Sequence, residues 1–241
     1  HRLTHWPYRQ WCRWCVQGRG REDRHYRKPR TSDIPTVGLD YCFPNLAEVM
    51  LIVLIITEIF TGAVEAVLVP EKGPIDYAVK CVVKAIAAWG FTRVALASDQ
   101  EPAILALAAA VQAARTHETV LYQGPRYDSQ SKGRIENMVG IVEGLSRTML
   151  FGLEHHYQRK FGKEDPIMGW IFRHAGWVLT RFAVKESGLT PFRMLRGRDY
   201  NGVVVEIGEC VLFKFLQPIP KLAPRWELGV WLGKKLSLIH I

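Results

Sequence analysis

The pattern of apolar and polar positions divides the chain into short blocks from residue 34 onward. Residues 35–43 (PTVGLDYCF) alternate in part and predict a strand with Asp40 near its end. Residues 49–57 form an apolar strand, and the Val-rich residues 61–69 a third, after a turn at Thr61-Gly62. Three neighbouring strands with short turns predict an antiparallel meander. Val79, Val82, Val83 and Ile86 recur at three- and four-residue spacing, which predicts a helix from Ile75 to Trp89 that stops at Gly90. A short buried strand, 93–98, ends directly at Asp99. A helix then runs from Pro102 to Arg115, with proline in its first turn.

Another strand is expected over 119–123, followed by a polar loop from Pro125 to Gly133. Ile135, Met138, Val142, Leu145 and Met149 mark the apolar face of a helix from Arg134 to Leu150, and Glu136, Gly140, Glu143 and Arg147 share another face. A last long helix spans 167–185. The order β-β-β-α-β-α-β-α-α predicts an α/β domain with a mixed sheet flanked by helices. Residues 203–215 and 225–232 return to strand character, as a small β-module or as an extra hairpin on the main domain.

Composition narrows the class. The chain has 241 residues with 48% hydrophobic residues, enough to bury a core without disulfides. Its five cysteines are an odd number without dense spacing, which excludes a secreted disulfide scaffold. The apolar run Val49 to Ile56 is too short for a membrane span, which takes about twenty residues. The Arg-rich start lacks the apolar stretch of a signal peptide. The expectation is an intracellular protein without a membrane partner.

Charge points to an anionic partner. The net charge is +9, and residues 1–30 hold nine Lys/Arg against Glu22 and Asp23. That leader also holds Cys12-x-x-Cys15, half of a usual zinc site, and His1-x-x-x-His5, which could supply the rest on one helical turn. His25 is a further candidate. Residue 1 is His, so the chain is expected to be a fragment. Its last six residues, LSLIHI, resemble a translated sequencing adapter, with the frame expected to be lost near Lys235.

Three acids stand out by position: Asp40 in the first strand, Asp99 at the end of the fourth, and Glu136 opening a helix. Acids within apolar sequence are costly unless paired or metal-bound. Three converging carboxylates would make an oxygen-rich site for Mg²⁺ or Mn²⁺. By position alone, Asp99 reads equally as an N-cap, Asp40 as an ordinary strand-end acid, and Glu136 as a first-turn acid favoured by the helix dipole.

The combination of LDY at 39–41, SDQEPA at 98–103 and PRYDSQSKGRIE at 125–136 resembles the catalytic core of retroviral and retrotransposon integrases, over roughly residues 34–190. The resemblance implies a ribonuclease-H-like fold with an Asp, Asp, Glu triad carried by Asp40, Asp99 and Glu136, which hold two Mg²⁺ or Mn²⁺ ions. Thirty-six residues separate Asp99 from Glu136, one more than the family's usual number. Glu143 is the competitor on the same helix, but it lacks the preceding motif.

The implied activity is DNA 3′-end processing and strand transfer on element ends and target DNA, by a homo-oligomer of a retroelement polyprotein, in the nucleus. The family's His-His-Cys-Cys zinc module agrees in order with His1, His5, Cys12 and Cys15, but the gap between His5 and Cys12 is much shorter here. Arg126, Lys132, Arg134, Arg147, Arg159 and Lys160 are the expected phosphate contacts. The expected division is a zinc-binding-like leader (1–33), the core (34–190), a truncated SH3-like β-module (191–235) and the adapter-like tail (236–241). Two other readings stay open: a ribonuclease-H-like nuclease that does not join strands, and a degenerate element protein that only binds nucleic acid.

Overall fold

The computed structural model describes residues 11–13, 17, 34–46, 49–122, 129–214 and 220–234, without the side chains of 46 and 129–132. The chain divides into two compact units, His1–Asp33 and Ile34–Ile241. In the first unit, Cys12 is buried and Trp11 exposed.

The second unit is built on a five-stranded sheet. Strands β1 (Thr36–Cys42), β4 (Val53–Glu58) and β5 (Val64–Leu68) form the antiparallel meander. Between β1 and β4 lies a hairpin of two-residue strands, β2 (Asn45–Leu46) and β3 (Val49–Met50). Helix α1 (Asp76–Trp89) leads to β6 (Val94–Ser98), which lies parallel to β1. Helix α2 (Pro102–Ala114) then leads to β7 (Thr119–Tyr122), parallel to β6. The sheet order is β5-β4-β1-β6-β7. The chain continues through α3 (Ser129–Tyr157), α4 (Ile167–Phe182) and α5 (Pro191–Arg196) to an antiparallel ribbon of β8 (Cys210–Lys214) and β9 (Trp226–Val230).

Strand alternation sorts the core into two layers. Val37, Leu39 and Tyr41 of β1 face Val82 and Ile86 of α1 and Ile104 and Leu107 of α2. Cys42 belongs to the opposite layer with Val53, Ile55, Val64 and Ala66, under Met138 and Val142 of α3 and Ile171 and Phe172 of α4. Both sheet faces are therefore covered, as the near-continuous apolar runs of these strands require.

Two polar devices close the meander edge. Buried Glu58 accepts hydrogen bonds from the backbone N–H groups of Phe60 (3.1 Å) and Thr61 (2.6 Å) and from the Thr61 hydroxyl (2.7 Å), which fixes the β4–β5 turn. The Thr180 hydroxyl of α4 accepts from Val64 N–H and donates to Val64 C=O, each at 2.9 Å, tying that helix to strand β5.

Three local expectations change. The polar stretch before Glu136 is helical from Ser129, so α3 starts earlier than its apolar stripe indicates. The start of the stretch expected as a β-module, from residue 191, instead forms α5: the Thr190 hydroxyl accepts from Arg193 N–H, Pro191 opens the helix and Gly197 closes it in the left-handed region at φ 69°. Of residues 203–215, only Cys210–Lys214 are a strand among the described residues. No described helix is long and apolar enough to cross a membrane.

Candidate active site

The parallel pairing of β1 and β6 ends with Leu39 opposite Ser98. The next residue on each strand is a carboxylate, Asp40 and Asp99. Adjacent strands lie about 4.8 Å apart, so the two acids lie side by side where the parallel pairing of β1 and β6 ends. In open α/β sheets that is the edge where ligands bind. Asp40 is half-buried, and its Oδ1 accepts from its neighbour Tyr41 N–H at 2.8 Å. Asp99 is exposed, and its Oδ1 accepts from Gln100 N–H at 2.7 Å. The N-cap position of α2 is Glu101, with extended backbone and no side-chain capping bond. Asp99 is therefore not the N-cap that its position also allowed.

Helix α3 brings in the third acid. Ile135 is buried with Ile59 and Ala97, and it rests on Gly38. A Cβ at Gly38 would lie 2.6 Å from Ile135 Cδ1, so only glycine lets the helix come this close to β1. Glu136 follows directly and is exposed. Two turns on, Glu143 accepts a hydrogen bond from the Cys42 thiol. Burial first, then the charges of Glu143 and Asp40, push that thiol up to about 12. Asp40 and Glu143 thus flank Cys42 on one side of β1.

Among the described residues, no group of three or more His, Cys, Asp or Glu side chains stands close enough to hold a metal ion. The structure brings Asp40 and Asp99 to neighbouring strand ends and seats Glu136 on the helix above, but it does not close the three into one group. The donor chemistry of the residues that would hold a metal fits one: carboxylate oxygens such as those of Asp40, Asp99 and Glu136 suit a hard divalent cation.

No protein-family model and no curated protein matches the sequence. Among solved structures, the chain is similar to one from the simian T-cell lymphotropic virus intasome in complex with the PP2A regulatory subunit B56 gamma. The identity is 17%, over 91% of this chain and 76% of that one, with a TM-score of 0.57. The chain has the integrase catalytic-core fold. At that identity the likeness speaks of fold alone. The chain is also similar, at TM-scores under 0.5, to the catalytic core domain of HTLV-2 integrase in complex with magnesium, trimeric form (16% identity, 68% of this chain, 98% of that one, TM-score 0.49), and to the catalytic core domain of BIV integrase (18%, 66%, 92%, 0.48).

On this integrase-fold core, the expected phosphate contacts fall into two sets. Arg134 and Arg147 are exposed on α3. Arg159 pairs with Asp165 and Lys160 with Glu154, each at 2.5 Å. Such exposed pairs are weak, so phosphates can compete for both cations. Arg126 and the Lys132 side chain lie outside the described residues, as do Cys15, His1, His5 and His25 of the zinc set.

The fold adds two cations that sequence order hides. Burial, and then the charge of Arg134, lower the pKa of Lys185. Lys72 pairs with Glu101 at 2.5 Å and lies 4.6 Å from the Phe43 ring centre. Tyr41 Oη accepts from Gly73 N–H at 3.0 Å. The Lys72–Gly73 turn is thereby fixed beside the carboxyl ends of β1 and β6. No local motif announces either cation, because both are recruited by chain segments distant in sequence.

Proposed function

We propose that this chain is an integrase-type polynucleotidyl transferase of a retroelement, which processes DNA 3′ ends and joins them to target DNA. The observation that carries the reading is the side-by-side exit of Asp40 and Asp99 from parallel strands, with Glu136 on a helix seated over Gly38. Asp40, Asp99 and Glu136 would hold Mg²⁺ or Mn²⁺. Such ions, when bound, supply a lowered water pKa and stabilise charge on the attacking and leaving oxygens.

The chain's own part is positioning. Strands buried on both faces fix Asp40 and Asp99. Arg134 and Arg147 neutralise the phosphate backbone and orient the scissile bond, giving salt-dependent binding with little sequence readout. Water attacks first near a 3′ end, and the freed 3′-hydroxyl then attacks the target phosphodiester. No protein nucleophile is needed. A homo-oligomer working in the nucleus, and a zinc module around Cys12, Cys15, His5 and His1, belong to the same proposal.

The test is an Asp99→Asn protein assayed on labelled DNA for end cleavage and strand transfer. Both are expected to fall by about a hundredfold or more, since even changes one shell removed from a metal cost up to that much. Activity equal to wild type refutes the triad. Cleavage without a joined product in the unaltered protein makes it a nuclease. One observation favours a third reading: the three carboxylates are not gathered into one group. A protein that only binds nucleic acid would show no carboxylate-dependent Mn²⁺ uptake by calorimetry.

A further inference from the structure

A cavity of about 300 Å³ opens beside the proposed site, between the β2–β3 hairpin, α3 and α4. Its volume is at the lower end of the range for sites that take a small ring-bearing ligand. Phe43, Leu51 and Phe172 contribute apolar and aromatic wall, and Glu143, Ser146 and Arg147 of α3 contribute polar groups. Ser146 is 3% exposed, and its Oγ has no hydrogen-bond partner. A buried hydroxyl without a partner costs about 1–3 kcal/mol, and this one lines a space that a ligand can fill.

We infer that this cavity seats one unpaired nucleobase of a bound DNA end. The inference rests on the integrase reading and names a contact for its substrate. A base is flat and carries donors and acceptors only on its edge. Phe43 and Phe172 offer faces or edges for the ring. The Ser146 hydroxyl can donate or accept, and the Glu143 carboxylate can accept from an exocyclic amine. Arg147 is exposed on the same helix, where the sugar–phosphate chain of a seated base must leave. A paired base is held in its stack, so an unpaired end is the form that enters at least cost. DNA is favoured over a free nucleotide because the same helix carries Glu136 and Arg134 toward the proposed reaction site.

The test uses the full chain with no Mg²⁺ or Mn²⁺ added, so that no cleavage occurs, and DNA ends with 2-aminopurine at successive unpaired positions. Fluorescence reports the environment of the base, and anisotropy reports DNA binding. The expected result is a response at one position only, lost in Ser146→Leu, which fills the cavity, and reduced in the milder Ser146→Ala. Affinity in Ser146→Leu should fall by about fivefold or more, the lower bound for one base–aromatic contact. Circular dichroism confirms that each variant is folded.

A response shared by all positions, or unchanged in Ser146→Leu, overturns the inference. DNA binding without any base response overturns it and leaves the integrase reading standing. Absence of DNA binding overturns both. Protection of the cavity by benzoate without a base response assigns it to a small aromatic acid instead.

Discussion

The contact between Gly38 and Ile135 makes a test of how the third acid is held. A methyl group at Gly38 would lie 2.6 Å from Ile135 Cδ1, 2.7 Å from Cγ1 and 3.5 Å from Thr57 Cγ2. Carbon atoms pack best at about 3.5–4.0 Å, so Ile135 has to move by nearly an ångström or α3 has to lift. Overpacking of this kind costs about 1–3 kcal/mol. In a unit of this size each kcal/mol shifts the melting midpoint by about 2–4 °C, so Gly38→Ala should melt roughly 2–12 °C lower. Activity should fall further than stability, because Glu136 is the next residue and a 1 Å misplacement can cost about a hundredfold. Ile135→Ala removes both clashing atoms, Cδ1 and Cγ1. In the double variant, the two changes should therefore cost less than their sum by about 0.5–3 kcal/mol. Thermal melts and strand-transfer rates on the four proteins measure both effects. Additive costs would show that Ile135 does not rest on Gly38.

Other contacts make independent predictions. Thr180→Val keeps shape but strips Val64 N–H and C=O of their partner, and should cost about 2–4 kcal/mol by urea titration. Burial pushes Glu65 up to about 7, against the pull of Arg181 and Arg173. Its folded-state pKa is raised, so its contribution is fully present below about pH 4.5 and is lost as pH rises toward 7, by about 3 kcal/mol at most. Glu65→Gln should remove that decline in urea midpoints between pH 5 and 8, and an unchanged profile would refute it. Burial lowers His174 instead, so its effect has the opposite sign and is lost as pH falls below about 6.5. It is common to both proteins and cancels in the comparison.

Period and punctuation were enough for most elements. Val79, Val82 and Ile86 mark α1, and Gly90 ends it in the left-handed region at φ 86°, as its position implies. Asp99 falls at the end of β6 because the apolar run stops there. The β2–β3 hairpin is not legible in the sequence because two-residue strands are too short to show alternation. The first turn of α3 was hidden for a different reason: Ser-Gln-Ser-Lys-Gly has no apolar stripe, and a helical glycine costs about 1 kcal/mol, so local preference opposes the helix that forms. Tertiary partners were beyond reach in principle. Thr180 meets Val64 across 116 residues, and nothing near Lys185 in the chain points to Arg134. The stretches that resemble integrase cores mark the three candidate acids, whereas the cavity near Glu143 depends on α4 and the hairpin coming together.

Two anchors bear on the proposal that Glu136, rather than Glu143, is the third ligand. Ile135 meets β1 at Gly38, and Glu143 meets it at Cys42. From Ile135 to Glu143 a helix rises about 12 Å, and from Gly38 to Cys42 a strand advances about 13 Å. Helix and strand therefore run side by side in one direction, with Asp40 beneath the stretch between the two glutamates. Height along β1 does not choose between them, but commitment does. Glu143 already accepts from Cys42, at the wall of the cavity, whereas Glu136 is exposed at the end nearer Arg134. Glu136→Gln should then abolish end cleavage and strand transfer together. Glu143→Gln should retain measurable end cleavage, because that carboxylate faces Cys42 and the cavity wall. Loss of both activities in Glu143→Gln, with Glu136→Gln fully active, would transfer the catalytic role to Glu143.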